Sequence, residues 1–113
     1  MEITTAEINA RVTLVKLSGT LDITAAEQMD LQFSVLANSR RSLVVDLTQV
    51  PFLASLGIRS LLVAARVINR RGDRMVLLNP SPIVEKVLVS TGVDEFMPIR
   101  HGQQDALAYL SSL

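Results

Sequence analysis

The chain has no cysteine, a single histidine and few aromatics, which make up 4% of its 113 residues. Without cysteine there is neither a disulfide framework nor a cysteine-rich metal site, a composition that fits a reducing cytosol. The scarcity of aromatics disfavours stacking platforms for single-stranded nucleic acid. Net charge is absent too: 11 basic residues balance 11 acidic ones, so the electrostatic footprint of a nucleic-acid-binding protein is missing. The arginine pairs Arg40-Arg41 and Arg70-Arg71 fall at expected helix ends, where cations complement the helix dipole, and they are read in that role. At the amino end no basic segment precedes a long apolar run, so neither a secretory signal nor membrane insertion is expected. The expected location is cytoplasmic.

What is present is an aliphatic composition, 49% hydrophobic, suited to strands covered by helices. The length predicts one domain over residues 1–113, large enough to bury a core without disulfides or metals. Glu2 to Ile8 and Val12 to Leu17 alternate around Asn9-Ala10 and predict an antiparallel hairpin closed by Gly19. A helix to about Asn38 follows, with Ala25, Met29 and Phe33 at helical spacing and Leu31 and Val35 expected to widen its buried face. Asp22 or Thr24 caps it: Thr24 and Glu27 have the spacing of a capping box, which would leave Asp22 free, and Asp22 is otherwise a turn residue whose carboxylate holds nearby backbone N–H groups.

After the central segment, Arg71 to Arg74 form a turn and Met75 to Leu78 a short strand, parallel to Leu43–Asp46 because a helix separates the two. Ser81 caps the next helix, with Pro82 in its first turn and Ile83, Val84, Val87 and Leu88 as its buried side, and Gly92 stops it. Phe96 to Ile99 predicts a last strand, placed at an edge by Pro98. Gly102 to Leu113 closes as an amphipathic helix through Ala106, Leu107 and Leu110. Five strands and four helices in this order predict an α/β fold, a mixed sheet with helices packed against it.

The chemistry concentrates between Leu43 and Arg71. Leu43, Val44 and Val45 read as a strand buried on both faces and ending at Asp46, and Pro51 biases the connection towards an extended conformation. A helix follows from about Leu56, with Ile58, Leu61, Leu62, Ala65 and Ile68 on its buried side and Arg59, Arg66 and Arg70 on another. Ser55 stands where that helix begins. A serine there can cap the first turn; the free N–H groups and the positive end of the helix dipole would equally favour a phosphate. Gly57 lets another chain or a ligand approach the backbone closely.

Asp46-Leu47-Thr48, Val50, Phe52-Leu53 and Ala54-Ser55-Leu56-Gly57-Ile58, followed by an apolar helix, resemble the central motif of STAS domains, the anti-sigma factor antagonists. Gly19-Thr20-Leu21-Asp22 is similar to the family's Gly-Glu-Leu-Asp segment, and Ser90-Thr91-Gly92-Val93 to a late Ser-Gly-Leu-like turn, so the resemblance spans nearly the whole chain. In the family the central motif reads Asp-Ser-Ser/Thr-Gly-Leu and its first serine is phosphorylated by a partner kinase; the resemblance places that serine at Ser55. The chain departs from the pattern at Ala54, in place of aspartate, and at Leu56, in place of the second hydroxyl residue.

The resemblance implies a non-enzymatic regulatory protein that docks a serine kinase acting as an anti-sigma factor and releases it on phosphorylation of Ser55, with a serine phosphatase as a further candidate partner. The partner-binding surface it suggests comprises Asp22, Ala54, Ser55, Leu56, Gly57, Arg59 and Val63. A second reading is a constitutive interaction subunit of a transporter or larger complex, for which Leu56 and Val63 would supply a dry patch. An enzyme pairing Ser55 with His101 lacks the glycine-flanked elbow and a matching acid. No glycine-rich phosphate cradle marks a ligand pocket. No cofactor or metal is expected, and the chain is expected to be a monomer or weak dimer.

Overall fold

The computed structural model describes residues 1–39 and 41–113. Arg40, and with it half of the first arginine pair, lies outside them. Strand β1 (Glu2–Asn9) turns into β2 (Val12–Ser18), and three crossovers follow: α1 (Ile23–Ala37) to β3 (Ser42–Gln49), α2 (Ser55–Arg70) to β4 (Met75–Leu78), and α3 (Pro82–Ser90) to β5 (Ile99–Arg100). Helix α4 (Gln103–Ser111) closes the described chain. The five strands lie in chain order, β1 antiparallel to β2 and the remaining neighbours parallel. Each crossover steps the same way across the sheet, and right-handed crossovers then put α1, α2 and α3 on one face.

The register sorts the core accordingly. Leu43, Val45 and Leu47 of β3 and Met75 and Leu77 of β4 point to the three-helix face, where Met29 and Phe33 of α1, Leu61, Ala65 and Ile68 of α2 and Leu88 of α3 cover them. Val44, Val76 and Leu78 point the other way and are covered through Ala106, Leu107 and Leu110 of α4. Period-two alternation would leave one face wet in a hairpin; here both faces are dry, which is why β3 and β4 read as continuous apolar runs.

Several local expectations change. Of the two expected caps of α1, Asp22 serves in place of the Thr24 capping box: its Oδ1 accepts from the Ala25 N–H at 2.9 Å. Leu31 and Val35 are 75% and 70% exposed, because the buried arc of α1 is set by Ala25, Ala26, Met29, Phe33 and Ala37, and both lie on the opposite side of the 100° wheel. On α3, Ile83 is exposed while Val84 and Leu88 are buried. Leu62 of α2 is half-buried, the arc centring on Leu61, Ala64, Ala65 and Ile68. The last strand starts at Ile99, since Val93–Glu95 forms a 3-10 turn that leaves Phe96 exposed and Met97 buried. It is an edge strand as expected, and the Ser81 cap of α3 is present, accepting from the Val84 N–H at 3.3 Å.

Arg71 does more than complement a dipole. Its guanidinium bonds Asp73 at 2.7 Å, donates to the Arg41 carbonyl at 3.0 Å and donates to the Ala37 carbonyl, so the end of α2 ties down the end of α1.

Candidate functional site

The site is built by two loops at the carboxyl ends of β2 and β3. The Gly19 N–H donates to the Gln49 carbonyl at 3.0 Å, Leu21 to Phe52 at 3.1 Å, and Ala54 to Leu21 at 3.0 Å. These bonds continue the parallel ladder past the strands, and Leu21 and Leu53 form an isolated bridge within it. Leu21 is fully buried beneath the start of α2. The residues on either side of the ladder, Asp22 and Ser55, are thereby held at one end of the sheet although 33 positions separate them in sequence.

Gly57 makes this approach feasible. A Cβ built at Gly57 would stand 3.1 Å from Leu21 Cβ and 3.2 Å from Leu53 Cδ1, closer than side chains normally pack. The close approach expected at this glycine is therefore made by the chain's own Leu21, and Gly57 itself is buried.

Ser55 is the first helical residue of α2, not its cap. The cap position is Ala54, in extended backbone (φ −76°, ψ 160°), and it has no side-chain hydrogen bond to offer. The Ile58 N–H reaches the Ala54 carbonyl at 3.1 Å, the first bond of the helix, so the N–H groups of Ser55, Leu56 and Gly57 precede the intrahelical ladder. Ser55 is exposed. A hydroxyl on the first turn, beside uncapped N–H groups at the positive end of a 16-residue helix, is placed to carry an anionic group.

The other expected surface residues divide between the loop and the helix. Asp22 is exposed, with one carboxylate oxygen engaged in the α1 cap, and Ala54 is half-buried. Leu56 and Val63 are 41% and 54% exposed, and with exposed Arg59 they form one wall of a groove between α1 and α2. Sequence reasoning missed the opposite wall, contributed by Ile23, Glu27 and Asp30 of α1. It also missed Phe52, exposed on the β3–α2 loop. The spacing of Ile23, Glu27 and Asp30 along one helical stripe is the signal for this wall, and the apolar Leu31 and Val35 on another side compete with it.

His101 is engaged elsewhere than at Ser55: its Nε2 lies 2.7 Å from Glu85 Oε1 of α3. Among the described residues no group of three or more His, Asp or Glu side chains is placed to hold a metal ion, and no helix is long and apolar enough to cross a membrane.

Known proteins bear on this arrangement. The family model described as STAS domain matches residues 4–106. An anti-sigma F factor antagonist from Paenibacillus polymyxa is 29% identical over 101 residues, covering 88% of this chain and 86% of its own. The structure of an anti-sigma-factor antagonist (STAS) domain protein from Planctomyces limnophilus is similar with a TM-score of 0.84 at 26% identity, over 96% of each chain. The phosphorylated form of the Bacillus cell fate determinant SpoIIAA shares the fold, with a TM-score of 0.73 at 23% identity over 96% of this chain and 98% of that one.

Proposed function

The chain belongs to the STAS domain family, and from that premise we propose that it is an anti-sigma factor antagonist of the cytoplasm: a binding protein that docks a serine kinase acting as an anti-sigma factor and lets go when Ser55 is phosphorylated. The observation that carries the reading is the placement of Ser55, exposed on the uncapped first turn of α2 beside the loop that holds Asp22. The named relative from Paenibacillus polymyxa supports it.

In the transfer, Ser55 Oγ forms a bond to the γ-phosphorus of ATP, the bond from that phosphorus to the β–γ bridging oxygen breaks, ADP leaves, and the hydroxyl proton passes to a base of the kinase. The added group carries about −1.5 to −2 charge. At a solvent-exposed helix start the dipole favours that charge by about 0.3 to 1 kcal/mol, so the fold tolerates it. A partner closing over Ala54, Ser55 and Leu56 has instead to desolvate it, and binding suffers.

Incubation with ATP and the cognate serine kinase, followed by peptide mass mapping, tests the proposal: phosphate is expected on Ser55. Ser55→Asp is expected to bind the kinase weakly and Ser55→Ala to bind it persistently, both melting near the wild-type temperature. Tight binding with Ser55 unmodified would replace the switch with the constitutive-subunit reading, which the exposed Leu56 favours.

A further inference from the structure

The groove between α1 and α2 has a volume of ≈ 430 Å³. Small residues line it on both helices, Ala26 and Ala37 on α1 and Ala64 on α2, together with Phe33 and Ser60. The floor is apolar. Ser60, its buried hydroxyl, donates to the Leu56 carbonyl at 3.1 Å, with the Ala26 carbonyl a second acceptor at 3.5 Å, so its one proton is already used. The rims differ in sign. Glu27 and Asp30 edge the α1 wall and Arg59 the α2 wall, and among the described residues no ion pair joins them or occupies them elsewhere.

Three exposed aliphatic side chains, Ile23, Leu56 and Val63, stand along the same opening. An apolar trough between two helices, open along its length and edged by unspent charge, has the form that receives the apolar stripe of a third helix. We propose that this groove is the docking site for an amphipathic helix of the partner protein, whose apolar side chains enter over Phe33 and Ala64, whose basic flank faces Glu27 and Asp30, and whose acidic flank meets Arg59. The proposal deepens the antagonist reading and rests on it only for which protein supplies the helix. It also connects the groove to Ser55: Arg59 lies one helical turn beyond that residue, within reach of a phosphate there, so phosphorylation competes for the cation that the acidic flank uses.

Two synthetic peptides test it on the intact chain, each of about 15 residues, a length of about 22 Å when helical. Both carry the same leucine stripe; one has a lysine flank and a glutamate flank, and in the other glutamate replaces the lysines. Amide chemical-shift mapping is expected to show the first peptide perturbing Ala26, Phe33, Ala64 and Val67, and the second binding about tenfold more weakly because two like-charge contacts oppose it. In Glu27→Lys/Asp30→Lys, whose sites are exposed and whose folding is checked by the dispersion of the same spectra, the preference is expected to invert. Equal response to both peptides, shifts that map outside the groove, or no response at millimolar peptide would each overturn the proposal. Absence of phosphate on Ser55 in the mass-mapping experiment removes the switch and leaves this result standing, so the two failures are distinguishable.

Discussion

Two residues at the head of α2, Ala54 and Gly57, differ in what they contribute although they are nearly adjacent. Ala54 holds the cap geometry without a cap, which leaves the first-turn N–H groups to solvent or to an anion. Ala54→Asp restores both the family's aspartate and a cap acceptor, and is expected to stabilise the fold by about 0.5 to 2 kcal/mol, read as a raised melting temperature. A carboxylate there would also repel a phosphate on Ser55, so the same variant is expected to be phosphorylated more slowly. Gly57 has the opposite constraint. An alanine inside a helix is ordinarily favoured over glycine by about 1 kcal/mol, but here its methyl would meet Leu21 Cβ at 3.1 Å, and overpacking of this kind costs about 1 to 3 kcal/mol. Gly57→Ala is therefore expected to lower the denaturation midpoint or at best leave it unchanged; a clear rise would mean that Leu21 yields easily.

At the scale of the element, the two long helices that line the groove are held differently. Helix α2 is anchored by a narrow arc on which Leu61 is fully buried while Leu62, its neighbour, is half-buried. Leu61→Ala is expected to cost about 2 to 5 kcal/mol as a core deletion, and Leu62→Ala less, by chemical denaturation. Helix α1 depends on its cap and its clamp. Asp22→Ala removes the acceptor for the Ala25 N–H and is expected to cost about 0.5 to 2 kcal/mol. Leu31 and Val35 stand in solvent, so Leu31→Gln is expected to change stability by no more than about 0.5 kcal/mol, in contrast to any substitution on the arc. The helical period of α1 was legible in the sequence; which arc of it faces the sheet was not, since apolar residues occur on both sides and hydrophobicity alone does not choose between them.

Over the whole molecule, the Arg71 clamp and the Ser55 loop are at opposite ends of α2. The Arg71 guanidinium ties α2 to the end of α1 and to the Arg41 backbone, while Ser55 and Asp22 lie towards the carboxyl ends of the strands. Ser55 is exposed, so phosphorylating it is expected to alter binding with little effect on stability: calorimetric melting within a few degrees of the unmodified protein, with partner affinity much reduced. Arg71→Met is expected to act the other way. It leaves the Ala37 and Arg41 carbonyls without their donor and is expected to destabilise the fold by about 1 to 3 kcal/mol while leaving the site residues in place.

The order and kind of the elements followed from the sequence, because strand and helix periods, the Ser81-Pro82 start and the glycine stops are local signals that each short segment carries by itself. So did membership of the STAS domain family, through the resemblance of the residues around Ser55. Tertiary structure alone decided that Ser55 begins the helix without capping it, that Gly57 is there for Leu21, and that Ile23, Glu27 and Asp30 face Leu56, Arg59 and Val63 across a groove. Each of those facts depends on where a second segment, more than 20 positions away in the chain, comes to rest. Periodicity describes one helix at a time, whereas a groove is a property of the space between two.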